Sequence, residues 1–224
     1  MTGTILLDLD GTLIDPQIGI LGSYRHALER MGFAADPADD LRWVIGPPLR
    51  RSFAKLFNGA HDPEHAVAFY RERYAAGGIF QAHTYPGVVD AMAELRTAGF
   101  QLLLCTAKAR RFAERIVDHF GFAAHLQGVY GAELDGRFDD KGELIAHILE
   151  TRDLKSGAVC MVGDRDNDVL AARRNGVSSI GVLWGYGDAA ELNGAGADRL
   201  IGTPDELPAA CAAQFAAWRA AAAS

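Results

Sequence analysis

The 224-residue sequence has only three cysteines, Cys105, Cys160 and Cys211, and no two of them lie close together along the chain. An odd number of widely spaced cysteines does not form a disulfide framework, and such sparse usage is typical of a reducing compartment. The seven histidines form neither an HExxH motif nor a cluster with the cysteines. The sequence therefore predicts no disulfide-stabilised fold and no zinc site.

Long apolar runs are also absent. No apolar stretch approaches the roughly 18 residues that a membrane-spanning helix needs. Asp8 and Asp10 interrupt the apolar segment near the N-terminus, so no signal peptide is predicted. Positive charge is scarce: 22 Lys and Arg stand against 29 Asp and Glu, and the net charge is −7. We therefore expect a cytoplasmic protein without a nucleic-acid or membrane partner, which binds any anionic substrate through a local concentration of positive charge.

The N-terminal segment Ile5-Leu6-Leu7-Asp8-Leu9-Asp10-Gly11-Thr12 combines an apolar run with two carboxylates. A short apolar run that ends in a turn signal predicts a buried strand, and strand alternation places the two aspartates on the same side. Carboxylates this close repel each other unless a cation lies between them, and hard oxygen ligands suit Mg²⁺. An Asx turn after a strand is the alternative interpretation.

The rest of the chain divides into an all-helical stretch and an alternating one. Residues 17–78 predict four helices and no strand, whereas strands at about 100–105, 126–130, 158–162 and 178–183 alternate with helices. Alternation of this kind indicates a parallel sheet covered on both faces. We predict an α/β fold with a Rossmann-like parallel sheet in residues 1–15 and 83–224, and an inserted four-helix cap in residues 16–82. Residues 14–16 and 82–85 would be the hinges.

Polar residues follow the predicted strands at the points where they end. They are Asp8 and Asp10 after the first strand, Thr106 after the next, and Asp164 with Asp168 after a later one, while Lys141 opens a helix between them. Because parallel sheets bind ligands at the carboxyl ends of their strands, we expect these side chains to meet. Each has an ordinary alternative, such as an N-cap for Thr106 or first-turn acids for Asp164 and Asp168.

The motif Asp8-Leu9-Asp10-Gly11-Thr12, with Thr106, Lys141 and Gly163-Asp164 with Asp168, resembles the haloacid dehalogenase superfamily of phosphohydrolases over essentially the whole chain. Residues 45–50, 85–87 and 185–187 resemble its phosphoglycolate-phosphatase-like branch, in which some bacterial members are labelled 5′-nucleotidases. The resemblance implies a Mg²⁺-dependent phosphomonoesterase that forms an aspartyl-phosphate on a small cytoplasmic phosphate ester. A 5′-nucleotidase is the alternative.

The resemblance also implies roles for the acidic residues. Asp8 would be the nucleophile, and Asp10 would protonate the leaving oxygen and then activate water. Mg²⁺ would bind the Asp8 carboxylate, the Asp10 backbone carbonyl and Asp164, with Asp168 close by or acting through water. We interpret Asp166, which lies between the last two, as a helix-cap residue.

The phosphoryl oxygens would be bound by the Thr106 hydroxyl and by three backbone amides, those of Leu9, Asp10 and Ala107. Lys141 would neutralise phosphate charge and orient Asp8. We interpret Lys108, the second lysine near this site, as a structural or rim residue.

The predicted cap would select the substrate. Gly46 permits a close approach, and Arg50 is the candidate for binding a second anionic or hydroxyl group, whereas Arg51 is interpreted as a surface residue. A nucleotide would need a stacking ring, for which the sequence offers Trp43, Phe53 and Trp184.

Three other functions are less favoured. A phosphomutase would need a cap motif that returns the phosphoryl group, and no such motif is found. A dehalogenase needs no metal and no aspartate at the position of Asp10, and the complete motif set argues against a catalytically silent interaction domain. We expect a monomer, because the cap can close the site without a partner chain.

Overall fold

The computed structural model describes residues 3–33 and 40–222, and a six-stranded parallel sheet organises the fold. The strands are β1 (Thr4–Leu7), β2 (Ile14–Asp15), β3 (His83–Thr84), β4 (Gln101–Ala109), β5 (Val129–Ala132), β6 (Val159–Gly163), β7 (Ser178–Val182) and β8 (Arg199–Ile201). The sheet has the order β5-β4-β1-β6-β7-β8, and every neighbouring pair is parallel. The predicted α/β fold is confirmed.

Helices cover the sheet and form the segment inserted after the first strand. They are α1 (Gln17–Arg30), α2 (Leu49–Phe57), α3 (Pro63–Ala76), α4 (Val88–Thr97), α5 (Arg110–His119), α6 (Lys141–Thr151), α7 (Asp166–Arg174), α8 (Ala189–Ala195) and α9 (Leu207–Ala222). Among the described residues, no helix combines the length and the apolar character needed to cross a membrane.

Strand β1 is buried throughout and apolar from Ile5 to Leu7, because both faces of the sheet are covered. Leu6 packs on the side of α6 and α7, whereas Ile5 and Leu7 pack on the opposite side. Since alternation continues beyond the strand, Asp8 points to the same side as Leu6, towards the N-termini of α6 and α7. The register of one strand thus decides where the first carboxylate lies.

The helical insertion, residues 16–82, differs from the prediction in one element. The second of the four predicted helices is a 3₁₀ turn at Arg42–Val44 within the described residues, and part of the segment predicted to begin it, residues 34–39, lies outside them. The two predicted hinges pair as an antiparallel ladder, with Ile14 opposite Thr84 and Asp15 opposite His83. Two-residue strands have no periodicity that a sequence pattern can reveal. The division into core and cap domains stays a prediction.

Several side chains join the insertion to the carboxyl edge of the sheet, among them Tyr74, Arg50 and Arg165. Tyr74 of α3 packs edge-on against Phe112 of α5, with ring centroids 5.5 Å apart. The Arg50 guanidinium donates to the Leu134 carbonyl at 2.8 Å, and the Arg165 guanidinium donates to the Ile45 carbonyl at 2.6 Å. A cavity remains between the insertion and the strand ends.

Candidate active site

A tight turn after β1 aligns the first two carboxylates. The Asp8 amide donates to the Val162 carbonyl at 2.9 Å, and the Gly11 amide donates to the Ile14 carbonyl at 2.8 Å. Gly11 has φ +85°, and a Cβ atom there would lie 2.1 Å from Oδ2 of Asp164. Only glycine permits both this backbone conformation and the approach of the Asp164 carboxylate.

Three buried carboxylates converge at this edge of the sheet. Oxygens of Asp8, Asp164 and Asp168 all lie within 4.8 Å of one another, and the three residues are at most 2% exposed. Lys141 Nζ lies 2.9 Å from Asp8 Oδ1 and contacts Asp168 Oδ1 directly. Lys141 pairs with two of the three carboxylates, so two negative charges are in excess if all three ionise.

Neighbouring groups fix each carboxylate of this cluster. Asp164 accepts hydrogen bonds from the Thr12 hydroxyl at 3.3 Å and from the Tyr186 amide at 2.8 Å. The Asp168 carboxylate accepts one from the Arg165 amide at 3.1 Å. Sequence reasoning assigned no role to Thr12 or Tyr186. For Thr12, the hydroxyl next to the aspartate motif was a usable signal in the sequence. Tyr186 acts through its backbone amide, which every residue except proline has, so the sequence contains no signal for it.

The excess of negative charge appears in the pKa values of the acids. Burial raises the pKa of Asp164 well above its usual range, and Asp168 and Asp8 raise it further. Burial also raises the pKa of Asp168 to about 6, although Lys141 opposes this shift. Burial disfavours the charge of Lys141, but Asp168 and Asp8 outweigh that effect and raise its pKa. An additional positive charge at this cluster would therefore favour the ionised carboxylates.

Asp10 belongs to a separate pair. Lys108 Nζ lies 2.8 Å from Asp10 Oδ2 and donates to the Tyr74 hydroxyl at 2.7 Å, and the lysine side chain is only 6% exposed. Of the two alternatives for Lys108, a structural or a rim residue, its burial and its contacts with Asp10 and Tyr74 fit the structural one. Strand β4 continues to Ala109 instead of ending at residue 105, with an irregular register after Thr106, and the extension fixes Lys108 against Asp10.

The remaining predicted core residues are divided between the cavity and its surroundings. Thr106 and Ala107 line the cavity, whereas Leu9 is fully buried. Ala109, not Thr106, is the N-cap of α5, so the alternative interpretation of Thr106 as an N-cap is wrong. Asp166 is exposed in the first turn of α7, outside the carboxylate cluster. The roles of the Leu9, Asp10 and Ala107 amides stay predictions.

The cavity above these residues has a volume of about 70 Å³ and is lined by both Asp8 and Asp10. Gly46 lines its wall with φ +102°, and a Cβ atom there would lie 2.8 Å from the Arg165 side chain. Arg50 also lines the wall, but its guanidinium forms ion pairs with Glu64 and Asp139. The structure therefore brings both predicted cap residues to the cavity, although the charge of Arg50 is already compensated.

None of the three rings proposed for stacking lines the cavity. Phe53 is fully buried, and Lys55 Nζ lies 4.3 Å above the Trp43 ring. The Trp184 indole donates to the Thr12 carbonyl at 3.0 Å. Phe53 is therefore packed in the core, and the contacts of Trp43 and Trp184 lie outside the cavity.

The chain is similar to known proteins in sequence. The family model for haloacid dehalogenase-like hydrolases matches residues 5–182. The chain is 41% identical over 190 residues to a 5′-nucleotidase of Pseudomonas aeruginosa, covering 84% of this chain and 86% of that protein. It is 30% identical over 214 residues to a phosphoglycolate phosphatase of Caulobacter vibrioides, covering 93% of this chain and 90% of that protein.

A solved structure shows the same fold. A predicted phosphatase from Clostridium acetobutylicum superimposes with a TM-score of 0.89 at 34% identity, over 93% of this chain and 97% of that chain. The segment that the family model matches contains the carboxylate cluster, Lys141 and the Asp10–Lys108 pair.

Proposed function

Because the chain belongs to the haloacid dehalogenase-like hydrolases, we propose that it is a Mg²⁺-dependent phosphomonoesterase acting through an aspartyl-phosphate. The observation that carries the proposal is the buried cluster of Asp8, Asp164 and Asp168, in which Lys141 pairs with Asp8 and Asp168. The Asp8 carboxylate is held beside the Lys141 ammonium and lines the cavity. That arrangement suits covalent catalysis on an anionic ester.

Asp8 is the proposed nucleophile. Its oxygen forms a bond to phosphorus as the ester P–O bond breaks, and water later cleaves the aspartyl-phosphate to release phosphate and restore the carboxylate. Attack on a dianion is opposed by a repulsion of about 4 kcal/mol per charge pair at 4 Å and an effective dielectric of 20. Lys141, 2.9 Å from Asp8 Oδ1, supplies one of the positive charges that offset it.

Asp10 is the proposed acid and base. Its protonated carboxyl gives a proton to the leaving oxygen, and its carboxylate then takes one from the attacking water. Lys108 engages Oδ2, whereas Oδ1 is buried and has no hydrogen-bond partner within the described part of the chain. We assign the proton transfers to Oδ1. Tyr74, which binds Lys108 from the helical insertion, holds that lysine in place.

The residues present fit Mg²⁺. Three hard carboxylate ligands with two uncompensated charges match a divalent cation that prefers oxygen. Asp8, Asp164 and Asp168 would hold it, together with the Asp10 carbonyl, since the Asp10 carboxylate pairs with Lys108. When bound, Mg²⁺ supplies Lewis acidity and the positive charge that the cluster lacks.

We expect Mg²⁺ to raise the Tm by about 5–10 °C at pH 8 and by much less at pH 5. The raised carboxyl pKa values, about 6 for Asp168, mean that the folded protein binds more protons than the unfolded chain between pH 4 and 6. In metal-free protein, the bound protons stabilise the folded state at low pH. This stabilisation is lost as the pH rises through that window. Protons and Mg²⁺ therefore compete for the same oxygens.

Thermal unfolding in EDTA and in excess Mg²⁺, at matched ionic strength, measures this effect. Asp164→Asn is the matched variant, and it should lose most of the Mg²⁺-induced shift. An equal shift at both pH values, or an undiminished shift in the variant, would contradict the assigned ligand set.

The substrate that we propose first is a short, carboxylated phosphate ester such as phosphoglycolate. A cavity of about 70 Å³ suits a compact molecule, and the tyrosine rings on its wall, Tyr24, Tyr70 and Tyr74, are at most 6% exposed. A nucleoside monophosphate is the second candidate, because the 41% identical relative is a 5′-nucleotidase. The cytoplasmic location and the monomeric state stay predictions from the sequence.

A panel of phosphate esters tests the proposed function. We expect p-nitrophenyl phosphate to be hydrolysed with Mg²⁺, and activity to fall at least about 100-fold in excess EDTA, because positive charge at the developing transition state is then missing. Phosphoglycolate should give a higher kcat/KM than AMP or a sugar phosphate. Full activity in EDTA would overturn the metal assignment. AMP as the best ester would replace the first substrate with the second.

A further inference from the structure

We propose that Arg71, on the insertion side of the cavity, is the binding site for a carboxylate carried by the substrate. The inference rests on the proposed phosphatase function and deepens it, since it assigns the residue that would distinguish an acidic ester from a neutral one. Sequence reasoning placed this role on Arg50 and did not consider Arg71.

Charge pairing around the cavity supports Arg71. It lines the cavity, and no carboxylate of the described residues lies within 4.0 Å of its guanidinium. Glu64 and Asp139 lie near it, but each forms an ion pair with Arg50 instead. The charged residues of the cavity wall that do have an ion-pair partner are Asp8, Asp10, Arg50, Lys108, Glu133 and Asp139.

Hydrogen bonding leaves most of the Arg71 guanidinium available. One of its N–H groups donates to the Leu134 carbonyl at 3.1 Å, and this is its single hydrogen bond to the described residues. A guanidinium has five N–H donors in a planar fork, and that fork matches the two oxygens of a carboxylate. The Leu134 contact anchors the side chain and leaves donors for a ligand.

The electrostatic surroundings also favour an anion at Arg71. Burial of the half-buried side chain lowers the pKa of Arg71, and the neighbouring cation Arg50 lowers it further, while Glu64 and Asp139 oppose these two effects in part. A ligand carboxylate would relieve both effects. Arg50 lacks this need, because Glu64 and Asp139 raise its pKa despite its partial burial.

The position of Arg71 relates it to the reacting groups. It precedes Tyr74 by three residues on α3, which is about 4.5 Å along the helix axis. The Tyr74 hydroxyl accepts from Lys108, and Lys108 pairs with Asp10. Arg71 therefore lies about one helical turn from the residue that reaches the acid–base pair. Asp8 and Arg71 line the same cavity, so an ester with its phosphate at Asp8 can present a second anionic group to Arg71.

The experiment compares two esters of similar size that differ in one charge. We expect the wild-type protein to prefer phosphoglycolate over ethyl phosphate at least about 30-fold in kcat/KM, which corresponds to about 2 kcal/mol of charge-assisted hydrogen bonding. Arg71→Met should reduce that preference at least tenfold, mainly through KM. Arg71→Lys should retain part of it, since lysine keeps the charge but loses the planar fork.

Arg51→Met is the matched control, because Arg51 is exposed on α2 and does not line the cavity. Inhibition of p-nitrophenyl phosphate hydrolysis by phosphonoacetate and by ethylphosphonate gives a second readout that does not require turnover of the acid. Arg71→Met should weaken inhibition by phosphonoacetate at least tenfold more than inhibition by ethylphosphonate. Thermal unfolding verifies that each variant is folded.

The outcomes separate this inference from the proposed function. A wild-type protein without preference for the carboxylated ester, or an Arg71→Met variant that keeps the preference, overturns the role of Arg71. A preference for AMP that Arg71→Met does not change would also overturn the role of Arg71, and it would identify a nucleotide as the substrate. Failure to hydrolyse any phosphate ester overturns the proposed function itself, and the Arg71 assignment with it.

Discussion

Asp8→Asn is expected to lower kcat at least about 10⁴-fold, because loss of a nucleophile removes the covalent route and leaves only binding and electrostatic effects. Asparagine has the shape of aspartate, so the buried turn after β1 should accept it. The substitution also removes one of the three mutually repelling carboxylates of the cluster. The Tm in EDTA should therefore be no lower than that of the wild type.

Steady-state kinetics with p-nitrophenyl phosphate, combined with thermal unfolding, measure both effects. The matched control is Asp118→Asn on the exposed surface of α5, for which we expect activity close to that of the wild type. A variant that is folded and retains a tenth of the activity would rule out Asp8 as the nucleophile. Trapping of a phosphorylated protein in the wild type, and its absence in Asp8→Asn, would test the intermediate directly.

Lys141→Met is expected to affect catalysis and stability together. Without the ammonium, Asp8 and the phosphoryl group repel each other more strongly, and kcat should fall about 10³-fold. Lys141 is 3% exposed and contacts both Asp8 and Asp168, so its loss leaves buried carboxylates without a cation. Removing one partner of a buried ion pair typically costs about 3–5 kcal/mol, or roughly 10 °C in Tm for a chain of this size.

The physical cause of the instability predicts two ways to reverse it. Excess Mg²⁺ should restore part of the lost Tm, because it brings positive charge to the same carboxylates. Acidification towards pH 5 should do so as well, because Asp164 and Asp168 then take up protons. Lys155→Met, at an exposed position, is the control. A Lys141→Met variant with unchanged kcat would contradict the assigned role of the lysine.

Much of the core could be predicted because its information is local in the sequence. Apolar runs and their turn signals identify the strands, and the residues that follow each strand reach one edge by the geometry of a parallel sheet. Asp8, Thr106, Lys141, Asp164 and Asp168 were placed in this way, and the structure brings them to the same edge. Their catalytic roles stay predictions until the variants are measured.

The cap was less predictable, because its functional properties depend on contacts between distant residues. Arg50 was a reasonable anion binder by sequence, but Asp139, 89 positions away, compensates its charge. Lys108 was interpreted as a structural or rim residue, and its contact with Asp10 depends on the extension of β4 past residue 105, which no apolar pattern predicts. Arg71 carried no motif, and it stands out only after the partners of its neighbours are known.

The sequence by itself determined the parallel sheet, the helical segment inserted after its first strand and the acids that follow its strands. Those features depend on periodicity and on residue order, which a linear chain displays. The tertiary structure alone decided which cation pairs with which carboxylate. In the folded protein, Lys141 pairs with Asp8 and Asp168, Lys108 pairs with Asp10, and Arg50 pairs with Glu64 and Asp139. Electrostatic pairing depends on distance in space, and so the charge left available at Arg71 became visible only in the folded protein.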